Sequence, residues 1–113
     1  MQIIQLDQFD FHPVIEASTG VVVVFVTGPH CRRCHALKQV LSNVDCGLPE
    51  WTVYEVCAEQ DAAIAQEFEV LHLPAVFVFR EGQFHRHLYF EIHPDRFCEA
   101  LHQSLVAEAE ALP

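Results

Sequence analysis

Two cysteines three residues apart, Cys31 and Cys34 within His30-Cys31-Arg32-Arg33-Cys34-His35, are the residues of this chain best suited to chemistry. Thiols at that spacing have three familiar uses. They can exchange a disulfide, with Cys31 attacking as thiolate and Cys34, one helical turn further on, resolving the mixed disulfide. They can hold zinc together with one of His30, His35 or Cys46. Finally, Cys31-Arg32-Arg33-Cys34-His35 fits the covalent haem signature, two thioethers with His35 as the axial ligand. The only methionine is Met1 and a valine strand precedes the motif, which sets haem behind the other two. Spacing alone decides little, because a short chain with five cysteines gives such pairs by chance. Position decides more.

Gly20 opens Val21-Val22-Val23-Val24-Phe25-Val26, an unbroken β-branched run of the kind found in a strand buried on both faces. After the Thr27-Gly28-Pro29 turn, Ala36, Leu37, Val40, Leu41 and Val44 fall at helical spacing, so both cysteines sit at that helix's start. There, unpaired backbone N–H groups and the helix dipole favour a thiolate. Arg32 and Arg33, with His30 and His35 when protonated, add positive charge that favours it further and makes the pair more oxidising.

The remaining elements follow from the same reading. Ile3 to Leu6 is a brief strand, and Asp7 or Asp10 caps a short helix carrying Phe9, Phe11, Val14 and Ile15. Cys46-Gly47-Leu48-Pro49 ends the helix that follows the cysteines. Trp51 to Cys57 alternates as a strand, and Asp61 to Phe68 is a helix around Ile64 and Phe68. Ala75 to Arg80 and Gln83 to Phe90 flank the Glu81-Gly82 turn as a hairpin, with Phe84, Leu88 and Phe90 on one parity. His93-Pro94-Asp95 starts a last helix with Phe97, Leu101 and Leu105 on one stripe. The order βαβαβαββα predicts an α/β domain, one mixed central sheet with helices on both faces, spanning residues 1–113. Chemistry in such folds gathers at strand carboxyl ends, where Cys31 lies.

From Leu6 to about Leu105 the chain resembles thioredoxin. The likeness is carried by Leu6-Asp7-Gln8-Phe9-Asp10, the valine strand, Cys31-Arg32-Arg33-Cys34, and Leu73-Pro74-Ala75-Val76-Phe77-Val78-Phe79-Arg80-Glu81-Gly82-Gln83. The resemblance implies the thioredoxin fold and thiol–disulfide exchange through Cys31 and Cys34, with no cofactor beyond that redox disulfide. It also implies a cis Pro74 whose preceding residue, Leu73, pairs with extended substrate near His30. The expected partners are a protein or small-molecule disulfide and an upstream thiol reductant. The alternatives that stay open are a redox-inactive binding module of the same fold and the zinc site.

The departures are specific. His30 replaces the usual Trp, and Arg32-Arg33 the usual Gly-Pro. Val24 or Phe25 stands where the family keeps a buried carboxylate that helps deprotonate the second thiol, so that role reads as vacant. Glu55 aligns with the accompanying lysine, and Phe90 with a glycine of the substrate groove.

Sixteen acidic against six basic residues give a formal charge of −10, which repels nucleic acid and anionic lipid. Val21 to Val26 is far too short to span a bilayer, which takes about 20 residues, so neither nucleic acid nor membrane is an expected partner. The start of the chain reads as no secretory leader, which makes the cytoplasm the expected compartment. Cys46, Cys57 and Cys98 read as small apolar residues, with Cys57 placed near the active face at a strand end. His12, His72, His85, His87, His93 and His102 read as surface residues. Only His85 and His87 fall on what reads as one strand face.

Overall fold

The computed structural model describes residues 2–113. Five strands form one sheet: β1 (Ile3–Gln5), β2 (Val21–Thr27), β3 (Trp51–Cys57), β4 (Ala75–Arg80) and β5 (Gln83–Leu88). Their order is β1-β3-β2-β4-β5. β3 runs parallel to both β1 and β2, and β4 runs antiparallel to β2 and β5. Four helices complete the expected order: α1 (Phe11–Glu16), α2 (Arg32–Asn43), α3 (Ala62–Glu67) and α4 (Pro94–Val106).

All seven residues of β2 are buried, which explains its unbroken apolar run: it is central and covered on both sides. Its alternate residues build two cores. Val22, Val24 and Val26 face Phe11, Ile15, Ile64 and Phe68 of the α1 and α3 layer. Val21, Val23 and Phe25 face Leu37, Leu41, Phe97 and Leu101 of the α2 and α4 layer. The positions proposed for the missing carboxylate, Val24 and Phe25, therefore lie in opposite cores, each within 1% of complete burial. No helix among the described residues is long and apolar enough to cross a membrane.

Two expectations about β5 fail for one reason. A register shift lies between Val78 and Phe79: Phe79 pairs with Phe84 while Val78 pairs with Arg86, leaving His85 as the extra residue. Such a bulge reverses the alternation beyond it. Phe84 packs on the α1 and α3 side, whereas Leu88 and Phe90 pack on the α2 and α4 side, so they share no face. His85 is buried rather than on the surface, with Nε2 2.6 Å from the Ser104 carbonyl of α4. His87 instead stacks on Phe77, at 4.5 Å between centroids, so the two histidines face opposite ways.

A larger correction concerns the cysteines. Cys46 and Cys98, read from the sequence as isolated small apolar residues, are joined as a disulfide between the segment after α2 and α4. Cys57, at the end of β3, is the free cysteine among the described residues.

Candidate functional site

Cys31 is the N-cap of α2, and its sulfur accepts a hydrogen bond from the Cys34 backbone N–H at 3.2 Å. A residue in extended conformation followed by a helix is what an N-cap requires, and here sulfur replaces the usual side-chain oxygen. His30, just before it, turns the chain with φ of +57°, a left-handed conformation that histidine adopts more readily than bulky branched residues do. Cys31 and Cys34 form a disulfide with Cα atoms 5.2 Å apart. Cys31 is partly exposed and Cys34 is only 4% exposed, the order that an attacking and a resolving thiol require.

Two cavities flank the pair. The larger, about 710 Å³, is lined by Thr27, His30, Cys31, Arg32, Cys34, His35, Lys38 and Glu55. The smaller, about 360 Å³, brings Arg33 together with Leu71, His72, Leu73, Pro74, His87, Leu88 and Tyr89. The Leu73–Pro74 bond is cis. The two loops touch: a Cβ on Gly28 would lie 2.7 Å from Leu73 Cδ1, so any side chain there displaces Leu73. The candidate residues thus divide in two, with His30, Cys31, Arg32, Cys34 and His35 on one side and Arg33, Leu73 and Pro74 on the other. His35 points away along α2, with Nε2 3.3 Å from Gln39 Nε2.

The larger cavity also contains a carboxylate. Glu55 is buried on β3, next to Phe25 in the β2–β3 register. Its oxygens accept hydrogen bonds from Gln5 Nε2 at 2.6 Å and Thr27 Oγ1 at 2.7 Å, and an ion pair from Lys38 Nζ at 2.9 Å. Burial pushes the carboxyl's pKa up. The hydrogen bonds from Lys38 and Thr27, the Lys38 charge and the Gln5 amide outweigh that, so the pKa is held below the ordinary value. Near neutral pH the group is therefore an ion, unable to donate a proton and weak at accepting one. The strand positions read for the family's acid hold Val24 and Phe25, and a buried acid lines the larger cavity from the neighbouring strand. Its sequence signal was parity: Glu55 shares a strand face with buried Val53. The partner Lys38 carried no such signal.

In the smaller cavity, the Tyr89 hydroxyl lies 2.8 Å from His87 Nδ1. Burial lowers the His87 pKa, with Glu110 opposing, which favours the uncharged ring. Among the described residues, no three His, Cys, Asp or Glu side chains are grouped to hold a metal ion.

The family model of thioredoxin matches residues 2–103. A thioredoxin of Chlamydia pneumoniae is 26% identical over 82 residues, covering 73% of this chain and 76% of that protein. Among solved structures, thioredoxin from Trypanosoma brucei brucei superposes with a TM-score of 0.76 at 17% identity, over 94% of this chain and 93% of that one. The zinc-bound form of human ERp44 superposes with a TM-score of 0.72 at 18% identity, over 90% of this chain but 32% of that one. This chain spans about a third of that structure, and at such identities the likeness speaks for the fold.

Proposed function

The chain belongs to the thioredoxin family, and on that premise we propose that it is a thiol–disulfide oxidoreductase working through Cys31 and Cys34. The observation that carries the proposal is the arrangement at the head of α2: a partly exposed sulfur at the N-cap and a buried one a turn later, already paired. In the reducing direction, the Cys31 thiolate attacks one sulfur of a substrate disulfide, forming a mixed disulfide and releasing the other sulfur as thiolate. Cys34 then loses its proton and attacks Cys31. The substrate leaves with two thiols, two electrons have passed to it, and Cys31–Cys34 is a disulfide again. An upstream dithiol reverses that last bond to restore the enzyme.

The surroundings favour attack over resolution. Arg32 and Arg33 and the start of α2 stabilise negative charge at Cys31. Glu55, in the same cavity as Cys34, is a weak base because Lys38 and its hydrogen bonds lower its pKa, and among the described residues no side-chain base is hydrogen-bonded to the Cys34 sulfur. Proton loss to water then carries the second step, which makes it the slow one near neutral pH. Leu73 and the cis Pro74, against the loop that carries the cysteines, are proposed to align an extended substrate.

A redox titration of the Cys31–Cys34 pair, combined with turnover of a model disulfide, tests the assignment. Reversible two-electron cycling with turnover is expected. A pair that cycles in neither assay leaves a binding module of the same fold. The cytoplasmic setting belongs to the proposal, although stable bridges such as Cys46–Cys98 are uncommon in that compartment. Recovery of the full chain in the soluble cytoplasmic fraction of its cell would support the setting, and recovery outside that fraction would overturn it.

A further inference from the structure

The chain has six lysines and arginines against sixteen acids. Four of the six are engaged: Lys38 with Glu55, Arg80 with the Leu105 carbonyl, Arg86 with the Glu108 carbonyl and Glu110, and Arg96 with Glu99. Arg32 and Arg33 alone have neither carboxylate nor hydrogen-bond partner among the described residues, and both are exposed. In a chain with ten surplus negative charges, the two uncommitted cations sit between the two redox cysteines.

Their directions differ. Successive helical positions lie about 100° apart, and accordingly Arg32 lines the cavity with Thr27 and Glu55 while Arg33 lines the one with Leu73 and Pro74. Cys31 lines the Arg32 cavity, and the neighbouring Arg33 opens on the other. The carboxylates that line these two cavities are Glu55, already neutralised by Lys38, and Glu69. Leu73, Leu88 and Tyr89 give that second cavity an apolar floor suited to a side chain. From this arrangement we infer that the preferred substrate is an extended polypeptide whose half-cystine is flanked on both sides by acidic residues, one meeting Arg32 and the other Arg33.

The inference rests on the exchange chemistry proposed for the same site. Attack by the Cys31 thiolate on such a disulfide releases one peptide thiolate, and closure of Cys31–Cys34 releases the other, so the balance is unchanged. Charge sorting of this kind acts on the encounter and on the mixed disulfide. It is screened only beyond about 8 Å at physiological ionic strength.

The test uses symmetric disulfides of three capped tripeptides, Glu-Cys-Glu, Gln-Cys-Gln and Lys-Cys-Lys, with the reduced full chain. Each second-order rate constant is divided by that of 2-mercaptoethanol on the same peptide, which removes the flanking charges' effect on the leaving thiol. The expected order is Glu, Gln, Lys, with about tenfold or more between the extremes. The Arg32→Glu/Arg33→Glu variant should reverse the order, and Arg32→Gln/Arg33→Gln should flatten it. Ratios within twofold of one, or a preference that survives charge reversal, would overturn the inference while leaving exchange intact. Glutathione disulfide reacting as fast as the Glu peptide would overturn the polypeptide part. No reaction with the Gln peptide at all would overturn the exchange reading, and this inference with it.

Discussion

Cys31–Cys34 closes a turn three residues long at the head of a helix, whereas Cys46–Cys98 joins segments 52 residues apart beside the α2 and α4 core. The Cα separation is 5.2 Å in both, so backbone reach does not distinguish them. Their surroundings do. Each bridge joins a buried cysteine to a partly exposed one, Cys34 to Cys31 and Cys46 to Cys98, but Cys31 caps a helix and borders a cavity, whereas Cys46 and Cys98 pack with apolar side chains. A thiol that water and substrate reach beside positive charge exchanges readily, and one enclosed among apolar atoms does not. On the proposed function, one bridge is placed for turnover and the other for holding the fold.

The sharpest way to break this contrast is to remove one sulfur from each bridge. Cys31→Ser should lower peptide-disulfide reduction by on the order of a thousandfold or more, as loss of a nucleophile does. Cys98→Ser, distant in role, should leave the rate within about twofold. Comparable losses in both variants would erase the distinction.

Stability should order the bridges the other way. By loop-closure entropy, a bridge across about 50 residues is worth about 4 kcal/mol and one across a single turn about 2. Chemical denaturation of Cys46→Ser/Cys98→Ser and of Cys31→Ser/Cys34→Ser checks this, the first pair giving the lower midpoint. The opposite order would deny Cys46–Cys98 its structural role.

A third prediction concerns the proton at Cys34. With Glu55 held as an ion, clearing of the mixed disulfide in the wild type should accelerate about tenfold per pH unit towards the ordinary thiol range, about 8.5. Stopped-flow clearing that is flat from pH 6 to 9 would point to a base beside Cys34 that this account lacks.

The smallest effect lies with Glu55 itself. Its pKa is lower in the fold than in the unfolded chain, so its stabilisation is present above about 4.3 and is lost as pH falls through the lowered folded value. Glu55→Gln should cost about 1–3 kcal/mol at neutral pH, since charged hydrogen bonds are lost, and flatten the acid limb of stability against pH. An unchanged acid limb would remove Glu55 from that role.

Much of the site was legible because its signals are local. Trp51–Cys57 and Ala75–Arg80 fold as read to the residue, since alternation and turn residues bound them on both sides. The cysteine motif fell at the helix start because Gly28-Pro29 and the periodic leucines and valines leave no other register. What was missed depends on contacts distant in sequence. Nothing in the spacing of Cys46 and Cys98 announces a pairing that exists only once α4 packs beside α2. The bulge at His85 moved Phe84 to the other face, a reversal that alternation alone cannot show. Glu55 was noticed as a departure, but its place in the cavity required Lys38, Thr27 and Gln5 from three other elements.

The central claim, that Cys31 is the attacking thiol of a disulfide exchange, is tested most directly by trapping. Reduced Cys34→Ser protein is mixed with a peptide disulfide near neutral pH and the adduct is mapped by peptide mass spectrometry. With no second thiol to release it, one peptide should remain bound through a disulfide at Cys31, and Cys57, Cys46 and Cys98 should be unmodified. No stable adduct, or an adduct carried chiefly by one of those three cysteines, would contradict the account.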